Sequence, residues 1–137
     1  MHTLDPSKED LFTEIAKAAD LCMKPWSHSV IDASDNSLPE NEEDSFVELI
    51  VLVECRSKEG ERYPEKDLDL EIFKSGVDLN ITISWPSFED RPILWQGRNP
   101  VWMDSSSGRR CDAPSEGSYI EAFARRLRNL FLTDDEA

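Results

Sequence analysis

Hydrophobic and polar residues alternate most regularly between Asp67 and Trp85, in two runs that are separated by Ser75-Gly76. A period of two is typical of β-strands with one buried face, and a short connection containing glycine predicts a β-hairpin. With Ser75 and Gly76 as the turn, Lys74 lies opposite Val77, and each core-face pair above it joins two apolar side chains. These pairs are Ile72 with Leu79, Leu70 with Ile81, and Leu68 with Ile83.

The opposite face of this hairpin is polar and largely acidic. It is predicted to carry Asp67, Asp69, Glu71, Phe73, Asp78, Asn80, Thr82 and Ser84. Carboxylates two residues apart on one strand are separated by roughly 6–7 Å, which is too far for several to share one cation without help from loops. We therefore expect a solvated face rather than a metal site.

Three further stretches predict strands. Phe46–Arg56 has an apolar residue at every second position and additional apolar residues at its middle, as is typical of an interior strand. Trp26–Ile31 predicts a short edge strand. Residues 93–104 predict a second, less regular hairpin, and Pro92 and Pro100 place it at a sheet edge because proline cannot donate to a ladder.

Two helices are predicted, one near each end of the chain. The first begins at Asp5 as N-cap with Pro6 in the first turn, and ends at Lys24-Pro25. The second begins with the capping-box spacing of Ser118 and Glu121. Its apolar residues recur with the helical period and form one stripe: Ile120, Phe123, Ala124, Leu127, Leu130 and Phe131.

This order of elements predicts an α+β fold, in which an antiparallel sheet of about four to five strands carries the N-terminal and C-terminal helices on one face. The length of 137 residues indicates a single domain over residues 1–137. A polar, acidic run at 32–45 predicts a mobile loop, and residues 133–137 form a short acidic tail.

The net charge of −14 changes the functional expectation. Residues 1–90 hold 22 acidic and 8 basic side chains, whereas residues 91–137 hold 7 of each, and all of those bases are arginine. Such a charge repels phosphate, so neither nucleic acid nor a membrane surface is an expected partner. An acidic mimic of nucleic acid is also disfavoured because the charge is spread over every segment of residues 1–90.

The expected location is the cytoplasm. Met1–Met23 contains no uninterrupted apolar stretch of a signal peptide, and the longest aliphatic run, Leu49–Val53, is far short of the roughly 20 residues of a membrane helix. Three widely spaced cysteines without a C-x-x-C pair predict reduced thiols.

Catalytic patterns are sparse. The chain has only two histidines, and Cys55 or Cys111 with His28 is the one conceivable dyad, which the spacing does not support. No nucleophile elbow, zinc-protease motif or nucleotide-phosphate loop is present. We therefore predict no catalytic residues, no metal and no cofactor.

A cluster of tryptophan and arginine residues is the strongest candidate for binding, because both types are enriched at binding hot spots. The predicted binding residues are Trp95, Arg98, Trp102, Arg109 and Arg110. The competing interpretation is that the indole rings fill the core between sheet and helices. The Ser105–Arg110 loop could also hold an anion through its backbone N–H groups and guanidinium groups.

The sequence as a whole favours a small acidic soluble protein that binds another protein, or itself, as a non-catalytic accessory module. The alternative is a small-molecule or anion-binding protein, or an enzyme, that uses a pocket near residues 91–110.

Overall fold

The computed structural model describes residues 8–33, 46–75 and 78–132. Two α-helices, α1 (Lys8–Cys22) and α2 (Gly117–Leu132), flank six strands and one short 3-10 helix, Pro64–Lys66. The strands are β1 (Ser27–Asp32), β2 (Phe46–Arg56), β3 (Leu68–Ser75), β4 (Asp78–Ser84), β5 (Ile93–Gln96) and β6 (Pro100–Met103).

The six strands form one sheet in the order β1-β2-β3-β4-β5-β6, and all neighbours are antiparallel. This confirms the predicted α+β fold, with one strand more than the upper expectation because the short β1 and both strands of the second hairpin join the same sheet. The edge position of β1 and the interior position of β2 are also confirmed.

The core lies between one face of the sheet and the two helices. α1 packs on β1 and along α2, and α2 packs on β4 and β5. The predicted stripe of α2 is confirmed, because its apolar side chains are buried except for the partly buried Leu130. The sheet contributes alternate residues from its strands, among them Leu49, Val51, Val53, Leu68, Leu70, Ile72, Leu79, Ile81, Ile83 and Leu94.

The predicted register of the β3–β4 hairpin is wrong by two residues. Ile72 pairs with Ile81 rather than Leu79, and Lys74 pairs with Leu79 rather than Val77. The shift moves no side chain to the other face, since side chains alternate with a period of two. The apolar face therefore remains the core face, as predicted.

Asp67 was expected on the exposed acidic face and is instead 5% exposed. It precedes β3 and follows the short 3-10 helix, so the strand alternation does not extend to it. Its Oδ1 accepts a hydrogen bond from the Cys55 backbone N–H at 2.9 Å. Arg62 donates to both carboxylate oxygens, at 3.0 and 2.9 Å.

The start of α2 also differs from the prediction. The helix begins at Gly117, which places Ser118 inside it rather than at its N-cap. The Glu121 carboxylate accepts a hydrogen bond from the Trp102 indole N–H at 2.7 Å. The expected capping box is therefore wrong, and Glu121 joins the helix to β6 instead.

Three sequence predictions fall outside the described residues. They are the Asp5-Pro6 helix start, the acidic loop from residue 34 onward, and the acidic tail at 133–137. The other end of the first helix agrees with the prediction: α1 stops at Cys22, and a cis peptide bond joins Lys24 and Pro25 just beyond it.

Candidate functional site

The face of the sheet that points away from both helices is the largest candidate surface. The strand registers place Ile50, Glu71, Thr82, Trp95 and Val101 in one row that crosses from β2 to β6. This open face carries side chains from all six strands, and neither helix covers it.

An acidic patch occupies the middle of the open face. Glu48 and Glu71 are exposed, and Asp69 lies beside them on β3. Partial burial, and then the neighbouring Asp67 carboxylate, raise the pKa of Asp69. Glu54 also lies on this face, but Arg56 and Arg62 approach it within 3.5 and 3.6 Å. The uncompensated negative charge is therefore concentrated on β3 and its immediate neighbour.

Exposed apolar side chains border this acidic patch on three sides. Ile31 on β1 is 45% exposed, Trp95 on β5 is 39% exposed and Phe73 near the end of β3 is 36% exposed. The Trp95 ring lies close over Gly97, where an added Cβ would come within 3.3 Å of it. Large apolar groups at the border of a charged centre give this face both hydrophobic and electrostatic contacts for a partner.

The predicted binding residues do not form one cluster. Trp95 lies on the open face, whereas Trp102 pairs with Leu94 and points into the core, where it is 5% exposed. Trp102 stacks on the buried Trp85 with ring centroids 6.2 Å apart. Trp85 and Trp102 therefore have a packing role, and of these three tryptophans Trp95 alone is available on the surface.

The three predicted arginines are exposed. Arg98 lies in the connection between β5 and β6, and Arg109 and Arg110 follow the turn after β6. In that turn the Asp104 carboxylate accepts hydrogen bonds from the backbone N–H and the hydroxyl of Ser106, at 2.8 and 2.9 Å. These bonds lower the pKa of Asp104. A carboxylate thus occupies donors that an anion would need.

A second candidate is a cavity of about 230 Å³ at the end of α1. It lies between that end, the strands β1 and β2, and the start of α2. Its lining combines aromatic, basic and apolar side chains: Met23, Lys24, Trp26, His28, Cys55, Lys66, Leu68, Trp85, Glu116, Tyr119 and Ile120.

His28 and Cys55 are neighbours in this cavity, because they are paired across β1 and β2. The His28 Nδ1 is hydrogen-bonded to the Asp20 carboxylate at 2.9 Å. Burial raises the pKa of the Cys55 thiol to about 11, so the thiol is protonated at neutral pH. The described residues show no hydrogen bond from this thiol to the His28 ring, and Cys55 contributes an apolar lining rather than an activated nucleophile.

The third concave surface is an open groove of about 610 Å³ between the outer sides of α1 and α2. Leu21 is exposed there, next to Arg125 and Arg126. Nothing in the described structure indicates what occupies this groove.

Within the described ranges, no three histidine, cysteine or acidic side chains converge as metal ligands do. Neither described helix has the length and apolar character needed to cross a membrane.

Sequence reasoning missed most of the cavity. Trp26, Lys66 and the Glu116–Tyr119 pair come from three separate segments, and no local spacing connects the three. The predicted pocket near residues 91–110 differs from this cavity, whose lining includes Trp85 but no residue of that segment. The one sequence signal that pointed here was the possible proximity of His28 to a cysteine.

Comparison with known proteins gives a family. A family model described as a domain of unknown function, DUF8659, matches residues 12–130. No curated protein and no solved structure matches the chain.

Proposed function

We propose that this chain, which belongs to the DUF8659 family of domains of unknown function, is a non-catalytic protein-binding module. Its partner presents a basic segment with apolar side chains to the open face of the sheet. The observation that carries the proposal is the acidic patch of β2 and β3 with Ile31, Phe73 and Trp95 exposed around it.

Electrostatics support a basic partner. The chain carries a net charge of −14, and Glu48, Asp69 and Glu71 lie on the face of the sheet that neither helix covers. A complementary positive partner is attracted over distances of about a Debye length and docks in a preferred orientation. Exposed Trp95 supplies the large, rigid side chain that hot spots favour.

Self-association through the same face is disfavoured by the same charges. A twofold dimer places identical patches against each other, so the acidic residues of β3 would face their copies. Like charges that are brought together and desolvated cost free energy. We therefore favour a different protein over a second copy of this chain as the partner on this face.

The module is proposed to act in the cytoplasm. Cys22, Cys55 and Cys111 are all free thiols, which suits a reducing compartment. The acidic surface makes nucleic acid and anionic membranes poor partners.

The test compares the proteins captured from lysate by the wild type with those captured by variants. Trp95→Ala and Glu71→Lys alter the open face, while Leu21→Ala and Glu59→Lys make the same kinds of change on exposed residues elsewhere. Each captured protein is then purified and titrated with all five baits. We expect a partner whose affinity falls about 30-fold with Trp95→Ala, as for a hot-spot residue, and weakens with added salt.

The control variants should bind this partner as the wild type does. Equal affinity of all five proteins for every captured partner would contradict the use of the open face. Light scattering on the purified wild type checks the competing self-association. A stable dimer that Trp95→Ala abolishes would replace the hetero-partner assignment by self-association through the open face. A stable dimer that Glu71→Lys strengthens or leaves intact would contradict the hetero-partner assignment less.

A further inference from the structure

The 230 Å³ cavity has an apolar interior that is built into the core. Cys55, Leu68, Trp85 and Ile120 line it, and all four are at least nine-tenths buried. The protonated Cys55 thiol behaves there as a small apolar group. The part of a ligand that enters the cavity loses its contact with water and packs on hydrophobic walls. This favours an apolar or aromatic group.

The size of the cavity restricts the ligand. A volume of 230 Å³ corresponds to about eight water molecules, below the range of about 300–1,000 Å³ for drug-sized ligands. Two lining indoles are already held in place: Trp26 meets Tyr63 edge-on at 4.8 Å, and Trp85 stacks on Trp102. Such preorganised flat walls suit one small aromatic ring.

The charges that line the cavity favour an anionic group. Lys24 and Lys66 are basic, and the single lining glutamate, Glu116, is held between Lys66 at 3.8 Å and Arg91 at 3.7 Å. Lys24 is exposed and makes no ion pair among the described residues. The lining side chains therefore carry two ammonium groups against one carboxylate, which favours an anionic ligand over an amine.

His28 supplies a polar group inside the cavity. Its side chain is 2% exposed, and its Nδ1 must carry the proton that it shares with the Asp20 carboxylate, since an ionised carboxylate only accepts. The Nε2 is then the ring nitrogen left for a ligand. A hydroxyl can pair with it as donor or acceptor, whereas an apolar ring edge cannot.

From these four features we infer that the cavity binds a small phenolic carboxylic acid, with its ring between the buried walls, its hydroxyl hydrogen-bonded to His28 and its carboxylate at Lys24. This site is separate from the open face of the sheet and does not depend on the protein-binding proposal.

Three probes separate the contributions. 4-Hydroxyphenylacetate has the ring, the hydroxyl and the carboxylate; phenylacetate lacks the hydroxyl; tyramine replaces the carboxylate by an amine. We expect calorimetry to give a Kd of about 1 mM or tighter for 4-hydroxyphenylacetate. Phenylacetate and tyramine should each bind about tenfold more weakly. Amide NMR shifts on binding should centre on His28, Cys55 and Ile120.

The variants test the same assignments. Lys24→Gln should weaken 4-hydroxyphenylacetate binding about tenfold, Lys24→Arg should preserve most of the affinity, and Lys17→Gln on the outer side of α1 should leave it unchanged. Cys55→Leu adds two heavy atoms to the cavity and should abolish binding. Thermal unfolding of each variant verifies its fold, and the Lys24 pair keeps the test valid should Cys55→Leu unfold.

The inference is overturned if 4-hydroxyphenylacetate shows no saturable binding, or if the NMR shifts map outside the cavity. Equal affinities for 4-hydroxyphenylacetate and tyramine, unaffected by Lys24→Gln, would overturn the choice of an anionic ligand.

Discussion

At the scale of single residues, burial decides what the charged and reactive groups do. Asp67 and Asp69 are two positions apart, yet Asp67 is buried and accepts three hydrogen bonds, whereas Asp69 faces solvent. The alternation of the sequence assigned both to one face. It could not reveal that the strand begins at Leu68, or that Arg62 and the Cys55 backbone bond the Asp67 carboxylate.

Replacing Asp67 by Ala should destabilise the protein. The change leaves the buried Cys55 N–H without its acceptor and removes two hydrogen bonds from Arg62, which keeps the Cys55 carbonyl and Glu54 as partners. Because Arg62 is partly exposed, we expect a loss of about 2–3 kcal/mol rather than the larger cost of a fully buried pair.

Urea unfolding measures this loss, with Asp78→Ala at an exposed position of β4 as the control, for which the expected change is below about 0.5 kcal/mol. Arg62→Lys should also destabilise, since lysine cannot reproduce the two-pronged contact. Equal stabilities of the Asp67 and Asp78 variants would contradict the role of the buried carboxylate.

The three thiols should differ in reactivity. The pKa of Cys55 rises from its ordinary value of 9.0 to about 11, which reduces the thiolate fraction at neutral pH about a hundredfold. Cys22 and Cys111 are only partly buried. Iodoacetamide should therefore label Cys22 and Cys111 first in the native protein, as peptide mass spectrometry can follow, and all three alike in denaturant. Rapid native labelling of Cys55 would instead indicate that His28 activates it.

At the scale of secondary-structure elements, the hydrophobic period determines faces more strongly than it determines pairing. The alternation in β3 and β4 identified the core face correctly, but a shift of two residues preserves every face and therefore leaves no trace in the pattern. Only the connection between the strands distinguishes the two registers, and the observed pairing of Ser75 with Asp78 brings Ile72 opposite Ile81 and Leu70 opposite Ile83.

The two tryptophans of the predicted binding cluster also show that strand pairing is harder to predict than the face of a single strand. Proximity in sequence suggested that Trp95 and Trp102 act together, but the β5–β6 register places their side chains on opposite faces. The period of two would have separated them had the turn between these strands been known. The helical stripe of α2 was predictable because α2 covers the sheet with one face along its whole length.

The start of α2 depends on a glycine for close packing. A Cβ added at Gly117 would lie 2.9 Å from the Ala113 Cβ and 3.2 Å from the Trp102 ring. Gly117→Ala should therefore destabilise the protein by about 1–3 kcal/mol, although alanine is the better helix former by about 1 kcal/mol.

Thermal unfolding with near-UV circular dichroism tests this, because displacement of Trp102 also alters the tryptophan signal. Ser118→Ala at the next, exposed position is the control and should be nearly neutral. A more stable Gly117→Ala variant would show that helix propensity outweighs packing at this position.

At the scale of the whole molecule, one sheet face is covered by both helices and the other is open. The fold class follows from the order of the elements, which the sequence predicts well. The cavity does not, because it forms where Trp26, Lys66 and Tyr119 meet from distant segments. The open face and its acidic patch were predictable in part. The alternation predicted the polar residues, but the apolar side chains around them are brought there by the order of the six strands.

The open face should make stability depend on pH through Asp69. Partial burial and the Asp67 carboxylate raise the pKa of Asp69 above its ordinary value of 3.8. A carboxyl with a higher pKa in the folded state favours folding when it is protonated. This stabilisation is complete below the ordinary pKa and is lost as the pH rises through the folded pKa.

Ionised Asp69 therefore costs free energy at neutral pH, and Asp69→Asn removes that cost. We expect the stability of this variant relative to the wild type to be higher at pH 7 than at pH 3, by less than about 1 kcal/mol because solvent screens the exposed side chain. Urea unfolding at both pH values measures the difference, with Asp78→Asn as the control for the loss of a carboxylate. An Asp69→Asn effect that is the same at both pH values would contradict the raised pKa of Asp69.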